Sequence, residues 1–262
     1  MDLGLKDKTA LVTGGSRGVG RAIAAALLRE GARVMIAARD PKRLASARDA
    51  LARETGGAVH AQAANLENDS EVRALIEATT AALGGLDILV NAAGTVNPAE
   101  FLSLTEDKWP AVFEQKLNGY VRCLRHAIPV MKGRGWGRII NVSGLGSREA
   151  GARTVPVGLN NAAVLNLTKS LAFALAPEGI LVNAVIPHII DTDRQDETMK
   201  ELAALTGKPE AEIRRQRVSE IPVGRMGRPE EVADVVAFLA SERSSFVAGA
   251  AWHVDGGIAR GI

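Results

Sequence analysis

Short apolar runs rich in β-branched residues alternate along this chain with longer segments of helical period. The runs cover residues 9–13, 33–38, 58–62, 86–90, 138–142, 181–186 and 251–254, and most are bounded by Gly, Asn or Asp. They stay apolar instead of alternating, as strands covered on both faces do, and the segments between them have helical length, for example 20–29, 41–53 and 70–83. Repeated β-α-β units predict an α/β fold: a doubly wound parallel sheet of about seven strands between two helical layers, with right-handed crossovers. In such open sheets ligands bind beyond the carboxyl ends of the strands. No repeat or linker interrupts the pattern, so one domain over residues 1–262 is expected. The stretch 187–222 breaks the rhythm with polar, mixed-charge sequence and is expected to form a substrate-side loop with short helices.

Composition narrows the partners. With 32 basic and 30 acidic side chains the formal charge is only +2, which gives no field to gather nucleic acid or anionic lipid. A small-molecule substrate is expected, with no nucleic acid, membrane or metal. The single cysteine, Cys123, excludes an internal disulfide, and no apolar run approaches bilayer length. Residues 1–8 carry neither a signal-peptide apolar region nor an acid-poor transit bias, so a cytoplasmic location is expected.

The first chemical signal, Thr13-Gly14-Gly15-Ser16-Arg17-Gly18-Val19-Gly20, follows the first expected strand and opens a helical run. Glycines there let the backbone turn tightly and approach a pyrophosphate, whose charge sits against the positive end of the helix. The spacing G-x-x-x-G-x-G also suits a plain strand-to-helix turn, and its position after a strand and before a helix is what favours binding of a dinucleotide. Gly14, Ser16, Arg17, Gly18 and Val19 are its expected contacts. NAD-selective folds place an acid about 20 residues further on, and NADP-selective ones tend to place an arginine. Here Ala37-Ala38-Arg39 ends the second strand without a carboxylate, and Arg17 is a second cation for a 2′-phosphate, although Asp40 partly offsets Arg39. NADP(H) is therefore expected in preference to NAD(H).

At these residues the sequence resembles the short-chain dehydrogenase/reductase family, over essentially the whole chain. Thr13 to Gly20 resembles its T-G-x-x-x-G-x-G loop of the Rossmann-type fold, and Asn91-Ala92-Ala93-Gly94 its N-N-A-G motif with the second Asn replaced. The resemblance implies that Asn91, Ala92, Ala93 and Gly94 lie along the cofactor. Asn65-Leu66 stands where the family has an Asp-Val pair at the adenine, and Asn still accepts a hydrogen bond there. The strand ending in Pro187 is followed by His188 in place of the family glycine, and the resemblance sets Pro187, Ile190 and Thr192 against the cofactor. It also implies pairing of helices over 105–131 and 156–176 into a homotetramer or homodimer.

The departures are at the reaction centre. The family reduces carbonyls with an Asn, Ser, Tyr and Lys set, and an ungapped alignment places Lys116, Gly144, Val157 and Asn161 at those four positions. Valine moves no proton and glycine has no hydroxyl. Lys116 and Asn161 nevertheless hold the family's Lys and Asn residue types with the positions exchanged, so the resemblance leads to the expectation of a lysine pointing at the nicotinamide ribose from the opposite wall. Chance substitution explains the exchange almost as well. Other proton sources are His188, expected near the nicotinamide, and Ser143, which needs a local twist to face the site. Tyr120, four residues after Lys116 on one expected helix, is read as an interface residue, as are Cys123 and His126. Asn160 and Asn161 are equally explained as a cap or a water site, and Arg148 with Glu149 as an exposed pair. The leading expectation is an NADP(H)-dependent oxidoreductase with an atypical site, acting on a small or conjugated carbonyl. The alternatives are non-redox chemistry with a bound cofactor, or a silent scaffold or regulatory relative.

Overall fold

The computed structural model describes residues 2–94, 96–114, 116–151 and 154–260. The seven apolar runs form β1 (Thr9–Thr13), β2 (Arg33–Ala38), β3 (Val59–Ala63), β4 (Ile88–Asn91), β5 (Gly137–Val142), β6 (Ile180–Pro187) and β7 (Ala251–Val254). They make one sheet in the order β3-β2-β1-β4-β5-β6-β7, every pair parallel. The order reverses between β1 and β4, whose last residues Thr13 and Asn91 are register partners. A crevice opens at that reversal because the crossovers from the two strands leave in opposite directions.

The connecting helices are α1 (Gly18–Arg29), α2 (Pro41–Thr55), α3 (Asp69–Leu83), α4 (Trp109–Glu114), α5 (Leu117–Lys132), α6 (Val155–Leu175), α7 (Asp193–Thr206), α8 (Glu210–Ser219) and α9 (Pro229–Leu239). Successive strand side chains point to opposite faces. Val12, Val34, Ile36 and Ile140 therefore pack with α1, α2 and α9, whereas Leu11, Met35, Leu89 and Ile139 pack with α3, α5 and α6. Such fully buried aliphatic side chains each contribute about 1.5–3 kcal/mol of burial free energy, so the two cores fix the ends of the strands from which the loops emerge.

One expectation changes. The helix expected across 105–131 is interrupted: a short 3-10 turn, α4 and α5 replace it, and Lys116 lies between α4 and α5 at φ −149°, ψ −64°. The amide of Asn160 closes this break, with Nδ2 donating to Val112 O at 3.1 Å and Oδ1 accepting from Leu117 N at 3.3 Å. Asn160 thus stitches two helices together instead of capping its own. The stretch 187–222 is helical over α7 and α8, which bury Met199 and Ile213 against Ile189, Ile221 and Met226.

Candidate active site

Above the reversal in strand order lies a cleft of about 500 Å³. Its floor is the glycine loop. Gly14 sits at φ 71°, and a Cβ there would stand 2.9 Å from Ala92 O; one at Gly20 would stand 2.3 Å from Gly14 O. The loop is therefore held against β4 and under α1 at distances only glycine permits. Helix α1 begins beyond it with no acid in its first turn, so its free N–H groups and positive end face the cleft uncompensated. That surface suits a diphosphate. Gly14, Ser16, Arg17, Gly18, Val19, Asn65, Leu66, Ala92, Ala93, Gly94, Arg39 and Thr192 all line the cleft. Asn91 does not: its fully buried side chain donates from Nδ2 to Asn141 Oδ1 at 3.0 Å, beneath the wall that Ala92 and Ala93 form. Pro187 and Ile190 are also absent from the lining, and Ile190 packs into the α1–α9 core.

At one end the cleft is rimmed by Arg39 and by Arg43, four residues later on α2, which sequence reasoning missed. Arg39 is exposed, with Glu67 3.9 Å away. Asp40 is not a free carboxylate. It caps α2, accepting from Lys42 N at 2.9 Å and Arg43 N at 3.1 Å, and these bonds with the neighbouring cations hold its carboxyl below the usual range. The Oδ1 of Asn65 accepts from Glu67 N at 3.2 Å and retains one lone pair. Arg17 leans the other way, to Glu197 of α7 at 2.8 Å. The loop, the helix end and these cations fit a phosphorylated dinucleotide.

The opposite end is polar and buried. Lys116 is buried in the cleft wall, where Nζ donates to Asn161 Oδ1 at 2.8 Å and to Ser143 O at 3.1 Å, with the Tyr120 ring centroid 5.6 Å away. Burial without a carboxylate partner pulls its pKa down to about 7. Three separate segments meet here: the α4–α5 break, the end of β5 and the first turns of α6. The Ser143 hydroxyl is committed, donating to the backbone carbonyl of Asn161 at 3.1 Å, so Ser143 contributes its own carbonyl and a tether for α6. Gly144 makes room for the pair, since a Cβ there would lie 3.1 Å from Asn161 Nδ2.

His188 and Tyr120 depart from expectation. His188 N donates to Val254 O, extending the β6–β7 pairing, and its side chain lines a separate cavity with His253, Asp255 and Ile221. Burial, helped by Arg217, lowers its pKa to about 4, so at neutral pH the ring is the neutral imidazole. Tyr120 faces inward, fully buried, with its hydroxyl donating to Val142 O at 3.0 Å. It lines the cleft and is not an interface residue; its spacing of four from Lys116 was the available signal. Cys123 is likewise in the core, while His126 pairs with Asp69 at 2.9 Å. Glu149 accepts from Arg260 N and so is tied to the chain end instead of to Arg148. Among the described residues no group of His, Cys, Asp and Glu would hold a metal ion, and no helix is long and apolar enough to cross a membrane.

This architecture defines a class, and comparison places the chain in it. Residues 14–259 match the family model described as Enoyl-(Acyl carrier protein) reductase, and the chain belongs to the short-chain dehydrogenase/reductase family of oxidoreductases. It is 35% identical to a 3-oxoacyl-[acyl-carrier-protein] reductase, FabG, of Aquifex aeolicus, across 98% of this chain and 100% of the relative. Among solved structures it is similar to L-sorbose reductase of Gluconobacter frateurii complexed with NADPH and L-sorbose, with TM-score 0.94, 32% identity and full coverage of both chains. It is also similar to an NADPH-bound short chain oxidoreductase of Pseudomonas aeruginosa PAO1 described as containing an atypical catalytic center, with TM-score 0.89, 32% identity and 99% of each chain covered.

Proposed function

We propose that this protein is an NADP(H)-dependent oxidoreductase that reduces a small or conjugated carbonyl compound, with Lys116 in place of the family's tyrosine as the proton-holding group. One observation carries the reading: the buried Lys116 ammonium, held by Asn161 Oδ1 and Ser143 O in the wall of the cleft. Gly144, Val157 and Asn161 at the remaining family positions offer no such group, and the P. aeruginosa relative is precedent for an unusual centre in this fold. The preference for NADP(H) rests on Arg39, Arg43 and Arg17 around a rim where Asp40 is engaged as a helix cap.

When bound, the reduced nicotinamide supplies a hydride to the carbonyl carbon. The oxygen then needs a proton. An ammonium has three N–H groups, and Asn161 and Ser143 take two, leaving one for a substrate oxygen. A donor with a pKa near working pH is matched to that transfer. Besides Arg17, Arg39, Asp40, Arg43 and Glu67 toward the glycine-loop end, the titratable groups lining the cleft with it are Tyr120 and Glu114 from the helices beside it and Asp193 and Arg194 from α7. Glu114 is committed to Arg122 at 2.7 Å and Asn118 at 2.6 Å, and burial raises the Tyr120 pKa, so neither competes as donor. Exposed Phe173, Phe246 and Trp252 suit assembly as a homodimer or homotetramer, which light scattering reads directly.

The test is calorimetric titration with NADPH and NADH, followed by NADPH oxidation across a panel of aldehydes, ketones and enones. NADPH bound in preference to NADH, with turnover lost in Lys116→Ala, is expected. Turnover that survives Lys116→Ala, or no binding of either cofactor, would remove the proposal.

A further inference from the structure

The setting of Lys116 suits more than proton transfer. Both of its hydrogen-bond partners are neutral acceptors, the side-chain oxygen of Asn161 and the main-chain oxygen of Ser143. A neutral amine satisfies both with its two N–H groups and keeps its lone pair uncommitted. A charged ammonium, by contrast, finds no carboxylate among its hydrogen-bond partners and only the Tyr120 ring face 5.6 Å away. Lysines held in dry pockets without a counter-charge are the ones that act as nucleophiles toward carbonyls.

We propose that Lys116 is also a nucleophile, condensing with a small aldehyde or ketone admitted to the cleft to form a Schiff base. The inference shares with the proposed function its placement of Lys116 in the substrate's path, but it does not require a cofactor. The Nζ lone pair forms the C–N bond while the carbonyl π pair moves to oxygen, which takes a proton from the nitrogen to give a carbinolamine. The C–O bond then breaks, the second nitrogen proton leaves with the hydroxyl as water, and a C=N bond remains. Protonated, this imine keeps one N–H for Asn161 Oδ1. Its positive charge makes the bound carbon more electrophilic than the parent carbonyl, and addition of water at that carbon reverses the steps and frees the amine. Burial lowers the Lys116 pKa to about 7, leaving much of the amine neutral at pH 7, whereas an ordinary exposed lysine is neutral in roughly one molecule in two thousand.

The experiment uses the purified full chain without cofactor, propanal at pH 7 and cyanoborohydride to trap the imine as a propyl group, located by peptide mass spectrometry. Lys116 is expected to be labelled at least about tenfold faster than the exposed Lys42 and Lys132, with the selectivity lost toward pH 10. Lys116→Arg, which keeps a cation but has no nucleophilic amine, is expected to lose the fast adduct while Lys42 and Lys132 are labelled as in the wild type. Labelling of Lys116 no faster than Lys42 would overturn the inference and leave Lys116-dependent NADPH oxidation standing. Selective labelling without NADPH binding would do the reverse, supporting the Schiff base and removing the proposed function.

Discussion

At the glycine-loop end of the cleft the floor is backbone, drawn from a few consecutive residues pressed against β4; at the Lys116 end the wall is built by three segments far apart in sequence. Gly14 and Gly20 tolerate no Cβ, so the first region has one solution. Lys116, Asn161 and Ser143 are held by hydrogen bonds that other residue pairs make equally well. The difference teaches that a cofactor cradle is fixed by what the chain cannot be, and a reaction centre by which groups are brought together.

The contrast is most exposed at Lys116. Lys116→Ala is expected to lower turnover about 1,000-fold with NADPH affinity unchanged by calorimetry, separating chemistry from binding. In the wild type kcat/KM is expected to fall as pH rises through about 7, where Lys116 would lose its proton, and a flat profile would break the assignment. The converse change, Gly14→Val, is expected to weaken NADPH about 100-fold, since valine at a positive φ forces the loop away from Ala92.

A stability measurement sharpens the point. The folded pKa of Lys116 is lowered from 10.5 to about 7, so between those pH values the unfolded chain holds a proton that the folded one has released. Wild-type stability therefore rises with pH across that window, and the cost of the buried charge is fully present below pH 7. Lys116→Met is expected to be more stable by about 2 kcal/mol at pH 6 in urea unfolding, less than the desolvation gain because Asn161 and Ser143 lose their donor. The gain shrinks toward pH 10. Smallest, Arg39→Ala and Arg43→Ala each weaken NADPH about tenfold and leave NADH unchanged; equal losses for both cofactors would undo the reading of the rim.

The strands and the glycine loop were legible because their signals are local: an apolar run, then a turn that only small residues make. Lys116 and Asn161 were visible as residue types, but not that they touch, which depends on how α6 docks. The break before α5 left no local mark, because the amide that repairs it comes from Asn160, more than 40 residues later. Tyr120 was misread because an aromatic on an amphipathic helix looks the same whether it meets a partner or reaches a carbonyl at the end of its own sheet. His188 lies at the expected strand end, but one further rung of pairing with β7 carries its ring to another cavity. Arg43 was passed over because a cation one helical turn on looks like any solvated side chain.

Lys116 occupies a residue with non-helical dihedrals between two helices, and its amide groups are served by Phe113 and Tyr120 whatever side chain it carries. Helix propensity therefore exerts little selection on this position. Evolution and engineering alike can exchange its chemical group at small structural cost, making residue 116 a socket for new reactivity on an unchanged scaffold.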